Sequence, residues 1–348
     1  MQKTEPCGDV ATSSSYGAAT ACTVPTEGDG TITAMEGNGL RSLHCPVNIG
    51  GIPATNVQAL RRKGLEARLL MFRAPKLRSD VPDIVLNVPD GLWRRQLVQA
   101  RAFARVLPDT DVFHFYFANT LVPRRLQFPL LRLTRRKSVL HYLGSDIRGK
   151  SRAELAWGKR ADAEIVGSWD AHRWVPEAHV VPPPIDLARY AVTPPPENER
   201  VRIAHAPSSR TKKGTDAVIA ACNALPVELD LIEGVKHEEA RRRYAQADLI
   251  VDQLVVGWYG LFAIESMATG RPVVTYLHDD AVELTERAYG VQVPIVNATK
   301  ETLVDRLRPL LESVELRREL GERGREYVER VHDMDAIGDR LVEIYRSL

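Results

Sequence analysis

The sequence predicts an α/β protein built from two Rossmann-like domains that face each other across a cleft. Its 348 residues exceed the roughly 250–300 residues over which a single hydrophobic core extends. Short apolar runs alternate with helical patterns along most of the chain, as in parallel sheets covered on both faces. A proline-rich stretch at 181–199 divides two such alternating regions, and its semi-rigid composition is typical of an interdomain linker.

Four segments follow from this division. Residues 1–39 are rich in Thr, Ala, Gly and Ser and lack the apolar segment of a secretory signal, so they are expected to form a disordered tail. An N-terminal domain at 40–183 and a C-terminal domain at 184–330 follow it. The last segment, 331–348, is expected to be a helix that packs back on the N-terminal domain.

The N-terminal domain is expected to begin with a strand at 40–47 and the turn Asn48-Ile49-Gly50-Gly51. Pro53 suits the first turn of the next helix, and Gly64 suits its C-terminal cap. The remaining apolar runs of this domain are short enough for buried strands and lie at 65–72, 84–88, 112–117, 139–143 and 163–166.

The C-terminal domain repeats the alternation. Its predicted strands lie at 201–205, 228–232, 249–251 and 272–276, and its helices begin near residue 213 and span 238–245 and 261–269. The end of the chain is helical, with one apolar stripe at Leu303, Leu307, Leu310 and Leu311. In open α/β sheets ligands bind at the carboxyl ends of the strands, so the cleft is the expected site.

Composition and charge limit the classes of function. The four cysteines show no paired or metal-ligand spacing, which fits a reduced cytosolic setting. No run approaches the roughly 18 apolar residues needed to span a bilayer. Residues 39–185 carry 24 Lys and Arg against 12 Asp and Glu. Such a half suits an anionic membrane surface or acceptor, although solvated helix faces explain it equally. Nucleic acid is not expected, because no aromatic residues accompany the basic clusters.

The most informative stretch is a loop that leads from the strand at 249–251 into a helix. Gly257 and Gly260 allow backbone N–H groups to approach a ligand closely, and the start of the helix adds further donors and the positive end of its dipole. Glu265, about one turn into the helix, is placed to accept two hydrogen bonds from a ribose diol. Together these features predict a nucleotide site.

This stretch, continued by Ala268-Thr269-Gly270-Arg271-Pro272-Val273, resembles the signature of the retaining glycosyltransferases of family 4 (glycosyl transferases group 1), which have the GT-B fold. The resemblance implies that Glu265 binds the ribose of the donor. It also implies that the backbone of Gly260, Leu261 and Phe262 contacts the donor sugar and phosphate.

The family also has a first Glu, eight positions before the second, which contacts hydroxyls of the donor sugar. Gly257 replaces that residue here. Asp252 and Gln253, just upstream, are the candidates that would substitute for it.

A second matching element is the Ser-rich turn at 205–216, which follows a predicted strand. Arg210 and Lys213 are expected to clamp a diphosphate there, with Ser209 as a further donor-binding residue. The family carries an Arg followed by a Lys-Gly pair at this point, which Arg210 and Lys213 resemble. A solvated basic turn is the alternative.

Two weaker elements lie in the N-terminal half. Gly50 and Gly51 resemble the family's glycine loop, which approaches the donor phosphate, although a plain turn explains them equally. The segment 139–148 resembles the strand end where the family has a His near the reacting sugar. Leu143 stands at that position, and His141, on the same side of the strand, is the candidate that replaces it. A buried structural His remains the alternative, as it does for His114 on the preceding strand.

One pattern argues for the other main glycosyltransferase architecture. Asp109 and Asp111 have the spacing of carboxylates that hold a divalent cation. They precede a predicted strand, at the edge of the sheet opposite the expected site. We therefore expect surface residues there and no metal.

The sequence thus predicts a glycosyltransferase that moves a sugar from a nucleotide-sugar donor to an acceptor hydroxyl, with retention and without metal or other cofactor. The expected acceptor is a glycan, a glycolipid or a small molecule. Glycan, polysaccharide or glycolipid biosynthesis in the cytoplasm is the expected role, with peripheral contact at an anionic inner membrane face as a further expectation. The alternatives are a degenerate homologue that binds a nucleotide sugar or partner without turnover, and a sugar-nucleotide epimerase. No Gly-x-Gly-x-x-Gly pattern supports a dehydrogenase.

Overall fold

A computed structural model describes residues 39–348 apart from Lys76, Pro194 and Glu197. The expected tail at 1–39 lies outside the described residues except for Gly39. The described chain forms two parallel sheets, one on each side of the proline-rich stretch. This confirms the predicted α/β class with two Rossmann-like halves.

The first half contains a parallel sheet of seven strands within the described residues. They are β1 (Arg41–Cys45), β2 (Glu66–Met71), β3 (Ile84–Val85), β4 (Val112–Tyr116), β5 (Lys137–Tyr142), β6 (Ala163–Val166) and β7 (His179–Val180). Their order across the sheet is β3-β2-β1-β4-β5-β6-β7. The last strand was not predicted, because it has only two residues and directly precedes the prolines.

Helices cover both faces of this sheet. They are α1 (Ile52–Arg62), α2 (Leu92–Val106), α3 (Arg124–Leu133), α4 (Arg152–Leu155) and α5 (Trp169–His172). α2 and α3 share one face, because Phe103 and Leu131 lie in the same apolar cluster with the strand residues Phe113 and Phe115. α1 packs on the opposite face through Val57 and its neighbours.

The second half contains a parallel sheet of five strands within the described residues. They are β8 (Arg202–His205), β9 (Glu228–Leu231), β10 (Leu249–Val251), β11 (Val273–Thr275) and β12 (Ile295–Asn297), in the order β12-β11-β10-β8-β9. The helices are α6 (Arg210–Lys213), α7 (Thr215–Asn223), α8 (His237–Ala245), α9 (Leu261–Ala268), α10 (Asp279–Tyr289), α11 (Leu303–Glu312) and α12 (Val314–Val331).

The chain ends in α13 (Met334–Ser347), which lies against the first half. Ile337, Leu341 and Ile344 join the apolar cluster of α1. The chain returns from the second half beside Ile185, whose N–H donates to the carbonyl of His332 over 2.8 Å. The last helix therefore joins the two halves through the core of the first.

Candidate functional site

A cavity of about 320 Å³ lies between the two halves, at the carboxyl ends of strands from both sheets. Gly144, Ser145 and Arg148 line it from the first half, and Lys212 and Lys213 from the second. Three cationic side chains thus surround one small space, which is suited to an anion such as a diphosphate.

Gly50 and Gly51 bring the backbone of the first half against the start of α9. Both residues have positive φ angles, 63° and 80°. A Cβ atom on Gly50 would lie 2.3 Å from Leu261 Cδ1, so only glycine allows this approach. The structure therefore places the two predicted glycine elements together, one on each side of the cleft.

Lys213 is tied to the same helix start through Asp252. Its Nζ lies 2.6 Å from Asp252 Oδ1, and the Gly260 N–H donates to Asp252 Oδ2 over 2.7 Å. The Asp252 side chain is fully buried, whereas 17% of the Lys213 side chain is exposed. Lys213 thus neutralises a buried carboxylate that orders the loop before α9, and it still faces the cavity.

Gln253 is fully used in shaping this loop. Its Nε2 donates to the carbonyls of Trp258 and Tyr276, and its Oε1 accepts from the N–H groups of Val255 and Val256. The suggestion that Asp252 or Gln253 replaces the family's first Glu is therefore not supported by the geometry, because both side chains hold the loop itself.

The position of the missing Glu is filled by a histidine from another segment. Gly257 has a φ of 83°, and a Cβ atom there would lie 2.1 Å from Cε1 of His278. The Nδ1 atom of His278 lies 2.8 Å from Asp170 Oδ1, which comes from the first half. Arg148 donates to the other oxygen of Asp170 over 3.0 Å. His278, Asp170 and Arg148 therefore join the halves beside the cavity.

Glu265 is buried in α9 and has both carboxylate oxygens engaged. His237 Nε2 lies 2.9 Å from each oxygen, and the Tyr244 hydroxyl donates to Oε2 over 2.8 Å. Arg78, from the first half, lies 4.0 Å from Oε1. Burial raises the pKa of Glu265, but the hydrogen bonds and charge of His237, with Tyr244 and Arg78, outweigh burial and lower the pKa below 4.5.

Arg210 is turned away from the cavity. Its Nε lies 3.0 Å from Glu233 Oε1 and its guanidinium also contacts Oε2 at 2.6 Å, in a pair that is partly exposed. Lys212 and Ser208, rather than Arg210 and Ser209, line the cavity beside Lys213. The roles of Arg210 and Ser209 stay predictions.

His141 lies under the cleft in a buried polar cluster. Its Nδ1 atom is 3.1 Å from His114 Nε2, and only 1% of the residue is exposed. Burial lowers the pKa of His141 to about 3. Leu143 and Gly144, just beyond it, line the cavity instead. The arrangement matches the alternative of a structural His, and a catalytic role for His141 stays a prediction.

The carboxylates of Asp109 and Asp111 form ion pairs at the amino-terminal edge of the sheet. Asp111 contacts Arg41 at 3.0 Å and Arg136 at 2.6 Å, and Asp109 lies 3.5 Å from Arg41. Both carboxylates are thus paired with arginine side chains. Within the described ranges no group of three or more His, Cys, Asp or Glu is arranged to hold a metal ion.

Sequence reasoning missed His278, Asp170, His237 and Tyr244. Each belongs to a helix or its cap and reaches the site only through tertiary packing, so no local pattern marks it. The sequence signal for His278 was Gly257, which stands where the family has a Glu. The volume left by the missing side chain must be filled by another residue.

The fold is shared with known glycosyltransferases. No protein-family model matches the chain, and no curated protein is similar to it in sequence. Sucrose-phosphate synthase from Thermosynechococcus elongatus is 15% identical, with a TM-score of 0.66, and the match covers 89% of this chain and 99% of that one. Anabaena HepE in complex with UDP and glucose is 14% identical, with a TM-score of 0.65, covering 89% and 100%.

WaaG, a glycosyltransferase involved in lipopolysaccharide biosynthesis, is 14% identical, with a TM-score of 0.53, covering 88% of this chain and 99% of WaaG. These similarities show that the chain has the GT-B fold. Among the described helices, none is both long enough and apolar enough to cross a membrane.

Proposed function

We propose that this protein transfers a sugar from a nucleotide-sugar donor to an acceptor hydroxyl. The observation that carries the proposal is the convergence of Lys213, Lys212 and Arg148 on one cavity at the start of α9, with Glu265 one turn further along. The structures of HepE with UDP and with UDP-glucose, which share the fold, support a nucleotide sugar as the donor.

In this proposal the cationic side chains act on the leaving diphosphate. Charge grows on the diphosphate as the bond to the sugar breaks, and fixed cations in a site of low dielectric lower the energy of that state. Lys213 is held in place by Asp252, so it needs little reorganisation. Arg210 would join it after leaving Glu233. Closure of the two halves would exclude water that hydrolyses the donor.

Glu265 would bind the ribose. A carboxylate offers about four acceptor positions; the Tyr190 hydroxyl also hydrogen-bonds to Glu265, so beside the two donors His237 and Tyr244 roughly one position stays free. The two donors also keep the carboxylate ionised and fixed in orientation, which favours hydrogen bonds from a diol. Arg78, 4.0 Å from Oε1, borders the same position from the first half.

His278 would make the sugar contact that the missing Glu makes in the family. Its ring fills the volume beside Gly257, and its Nδ1 is committed to Asp170. The other ring nitrogen, Nε2, is then the atom that contacts a hydroxyl. A neutral imidazole that donates through Nδ1 accepts a hydrogen bond at Nε2, so it can replace a carboxylate as an acceptor.

The finer features of the proposal come from the family resemblance. They are retention at the anomeric carbon, no metal or other cofactor, and a role in glycan, polysaccharide or glycolipid biosynthesis in the cytoplasm. Contact with an anionic membrane belongs to the proposal as well. The pairing of Arg210 with Glu233 favours one alternative, a homologue that binds a nucleotide sugar without turnover.

The test is a thermal-shift panel with UDP, GDP, ADP and CMP and their common sugar conjugates. Wild type is compared with Glu265→Ala and with Glu286→Ala, a carboxylate of α10 outside the cavity lining. A ligand at about a hundred times its Kd adds roughly 2.7 kcal/mol of stability. We expect one nucleotide series to stabilise wild type and Glu286→Ala but not Glu265→Ala. No stabilisation by any nucleotide would refute the donor site.

Turnover is then measured with the nucleotide that binds, as release of free nucleotide and transfer of labelled sugar to candidate acceptors. Binding together with transfer supports the enzyme. Binding without release or transfer, across acceptors that related enzymes use, supports the degenerate homologue instead.

A further inference from the structure

Two helices that cover the same face of the first sheet, α2 and α3, leave apolar side chains exposed on their outer sides. On α2, 83% of Trp93 and 51% of Leu97 are exposed, and these residues lie one turn apart. On α3, Leu126, Leu130 and Leu133 follow the i, i+4, i+7 spacing and are 54%, 38% and 81% exposed. We call these two outer sides together the α2–α3 face.

These stripes are separate from the core-facing sides of the same helices. α2 packs inward through Phe103 and Val106, and α3 packs inward through Phe128 and Leu131. The exposed stripes are therefore a second apolar side on each helix. Single exposed leucines are common on protein surfaces, whereas apolar stripes on two helices of one sheet face indicate an interaction surface.

The charge of the face is of one sign. α2 contains four arginines and α3 contains three, and neither helix contains an acidic residue. Arg94, Arg101 and Arg105 lie on one side of α2, next to the Trp93 stripe, and are exposed. Within the described part of the chain, Arg94, Arg101 and Arg125 form no side-chain hydrogen bond or ion pair. Their charge is therefore directed to solvent or to a partner.

We propose that the α2–α3 face docks the protein on an anionic lipid bilayer. An aromatic and leucine stripe flanked by arginines is the composition of helices that lie in the plane of a membrane interface. The leucines and Trp93 would enter the boundary between head groups and acyl chains, and the arginines would contact the lipid phosphates. The excess of basic residues in 39–185 acts in the same direction.

A second, larger cavity lies beside the start of α2. This cavity of about 890 Å³ lies at the ends of β1 and β2, and Leu92 and Arg95 of α2 form part of its lining. Arg78, which borders Glu265, lines the same cavity. Leu92 and Arg95 lie on the opposite side of α2 from the Trp93 stripe, so this cavity is separate from the α2–α3 face.

The experiment is vesicle pelleting of the full chain, with vesicles of phosphatidylcholine alone and of phosphatidylcholine with about a third phosphatidylglycerol. One variant removes apolar contact, Trp93→Ser with Leu133→Ser, and one removes charge, Arg101→Ser with Arg125→Ser. The matched controls in the second half are Leu284→Ser with Val314→Ser and Arg287→Ser with Arg308→Ser. All of these residues lie on helix surfaces, so folding should be retained and is checked by thermal unfolding.

We expect wild type to bind the anionic vesicles and to bind phosphatidylcholine much more weakly. Each arginine near the surface contributes roughly fivefold in affinity, so the charge variant should lose roughly thirtyfold at low salt. The apolar variant should lose at least about tenfold, since two inserted side chains are removed. Both controls should stay within about twofold of wild type, because screened surface charges far from the face contribute little.

Three outcomes would overturn the proposal. They are equal binding to both kinds of vesicle, an equal loss in the controls, and a concentration-dependent dimer that Leu133→Ser abolishes, which would assign the face to a second copy. Nucleotide binding by the same preparations is measured in parallel without vesicles. Nucleotide binding without vesicle binding refutes this inference and the membrane contact included in the proposed function, but it leaves the sugar transfer standing. Vesicle binding without nucleotide binding refutes the sugar transfer and leaves the docking face standing.

Discussion

The imidazole of His278 occupies the space into which a side chain at residue 257 would extend. Gly257→Ala should therefore destabilise the protein by about 2–4 kcal/mol, from its left-handed backbone and from overlap with the ring. In a His278→Ala background the overlap is relieved, so the same substitution should cost about 1–2 kcal/mol. Urea unfolding of the four proteins gives the coupling energy, and strict additivity would contradict the contact.

Substitutions of Lys213 and Asp252 can separate the structural role of Lys213 in the loop from its proposed role in binding the donor. Lys213→Met should destabilise the protein by roughly 3 kcal/mol, because it leaves a buried carboxylate without its cation. Adding Asp252→Asn should restore most of that stability, since the amide oxygen still accepts from the Gly260 N–H. Neither variant should bind the donor nucleotide with wild-type affinity in a titration. Wild-type affinity in the stable double variant would show that Lys213 only supports the loop.

Arg210 is expected to bind diphosphate better when Glu233 no longer holds it. Glu233→Gln should tighten nucleotide binding by about threefold to tenfold and leave stability almost unchanged, as expected for an exposed pair. The matched control is Glu228→Gln, which releases Arg202 from a similar surface pair. Isothermal titration calorimetry measures the nucleotide affinity of both variants. Unchanged affinity for Glu233→Gln would remove Arg210 from the clamp.

The order of the elements could be predicted from the sequence because it depends on local patterns. Apolar runs, Pro53 and Gly64 marked strands and helix ends within a few residues. Gly50 and Gly260 were also found, because a glycine between a strand and a helix has a local meaning. β12 was missed, since only two of its three residues are apolar and Pro294 directly precedes them.

The contents of the site depend on contacts between distant segments, and these could not be predicted. Asp170 and His278 are 108 positions apart, and nothing near either residue indicates the other. Arg210 matched a motif, but the direction of its side chain depends on Glu233, which lies in the loop after β9. The period of a strand gives the face on which His141 lies but not whether that face opens to a cleft or to a packed cluster.

The buried cluster around His141 should make stability depend strongly on pH. When His44, His114 and His141 are neutral, each side chain of the cluster donates a hydrogen bond to the next one. The Tyr116 hydroxyl, which accepts from Asn56, donates to His44; His44 then donates to the Tyr345 hydroxyl, which donates to His114, and His114 donates to His141. An added proton would place two donors face to face.

Burial lowers the pKa of His44 and of His141 to about 3, and it lowers the pKa of His114 well below 6.5. The unfolded chain therefore binds these protons first, so their contribution is complete above pH 6.5 and is lost as the pH falls from there towards 3. The slope should reach about 4 kcal/mol per pH unit for three sites. His141→Asn keeps an acceptor near Nδ1 without titrating, and should lower the slope by up to about 1.4 kcal/mol per pH unit in urea unfolding between pH 5 and pH 7. An unchanged slope would show that His141 titrates normally.

Substitution of Tyr345 tests whether the same cluster holds α13 against the strands of the first half. The Tyr345 hydroxyl lies 2.6 Å from His114 Nδ1 and 3.1 Å from His44 Nε2, so it links α13 to β1 and β4 through hydrogen bonds. Tyr345→Phe should cost about 1–3 kcal/mol, because both buried ring nitrogens lose their partner while the apolar packing of the ring remains. Tyr276→Phe, whose hydroxyl has no such partner within the described residues, should change stability by less than about 0.5 kcal/mol. Hydrogen exchange provides the second measurement. The amides of α13 should exchange faster in Tyr345→Phe while those of α9 keep their protection, and equal acceleration of both helices would show that the whole chain unfolds rather than that α13 is released.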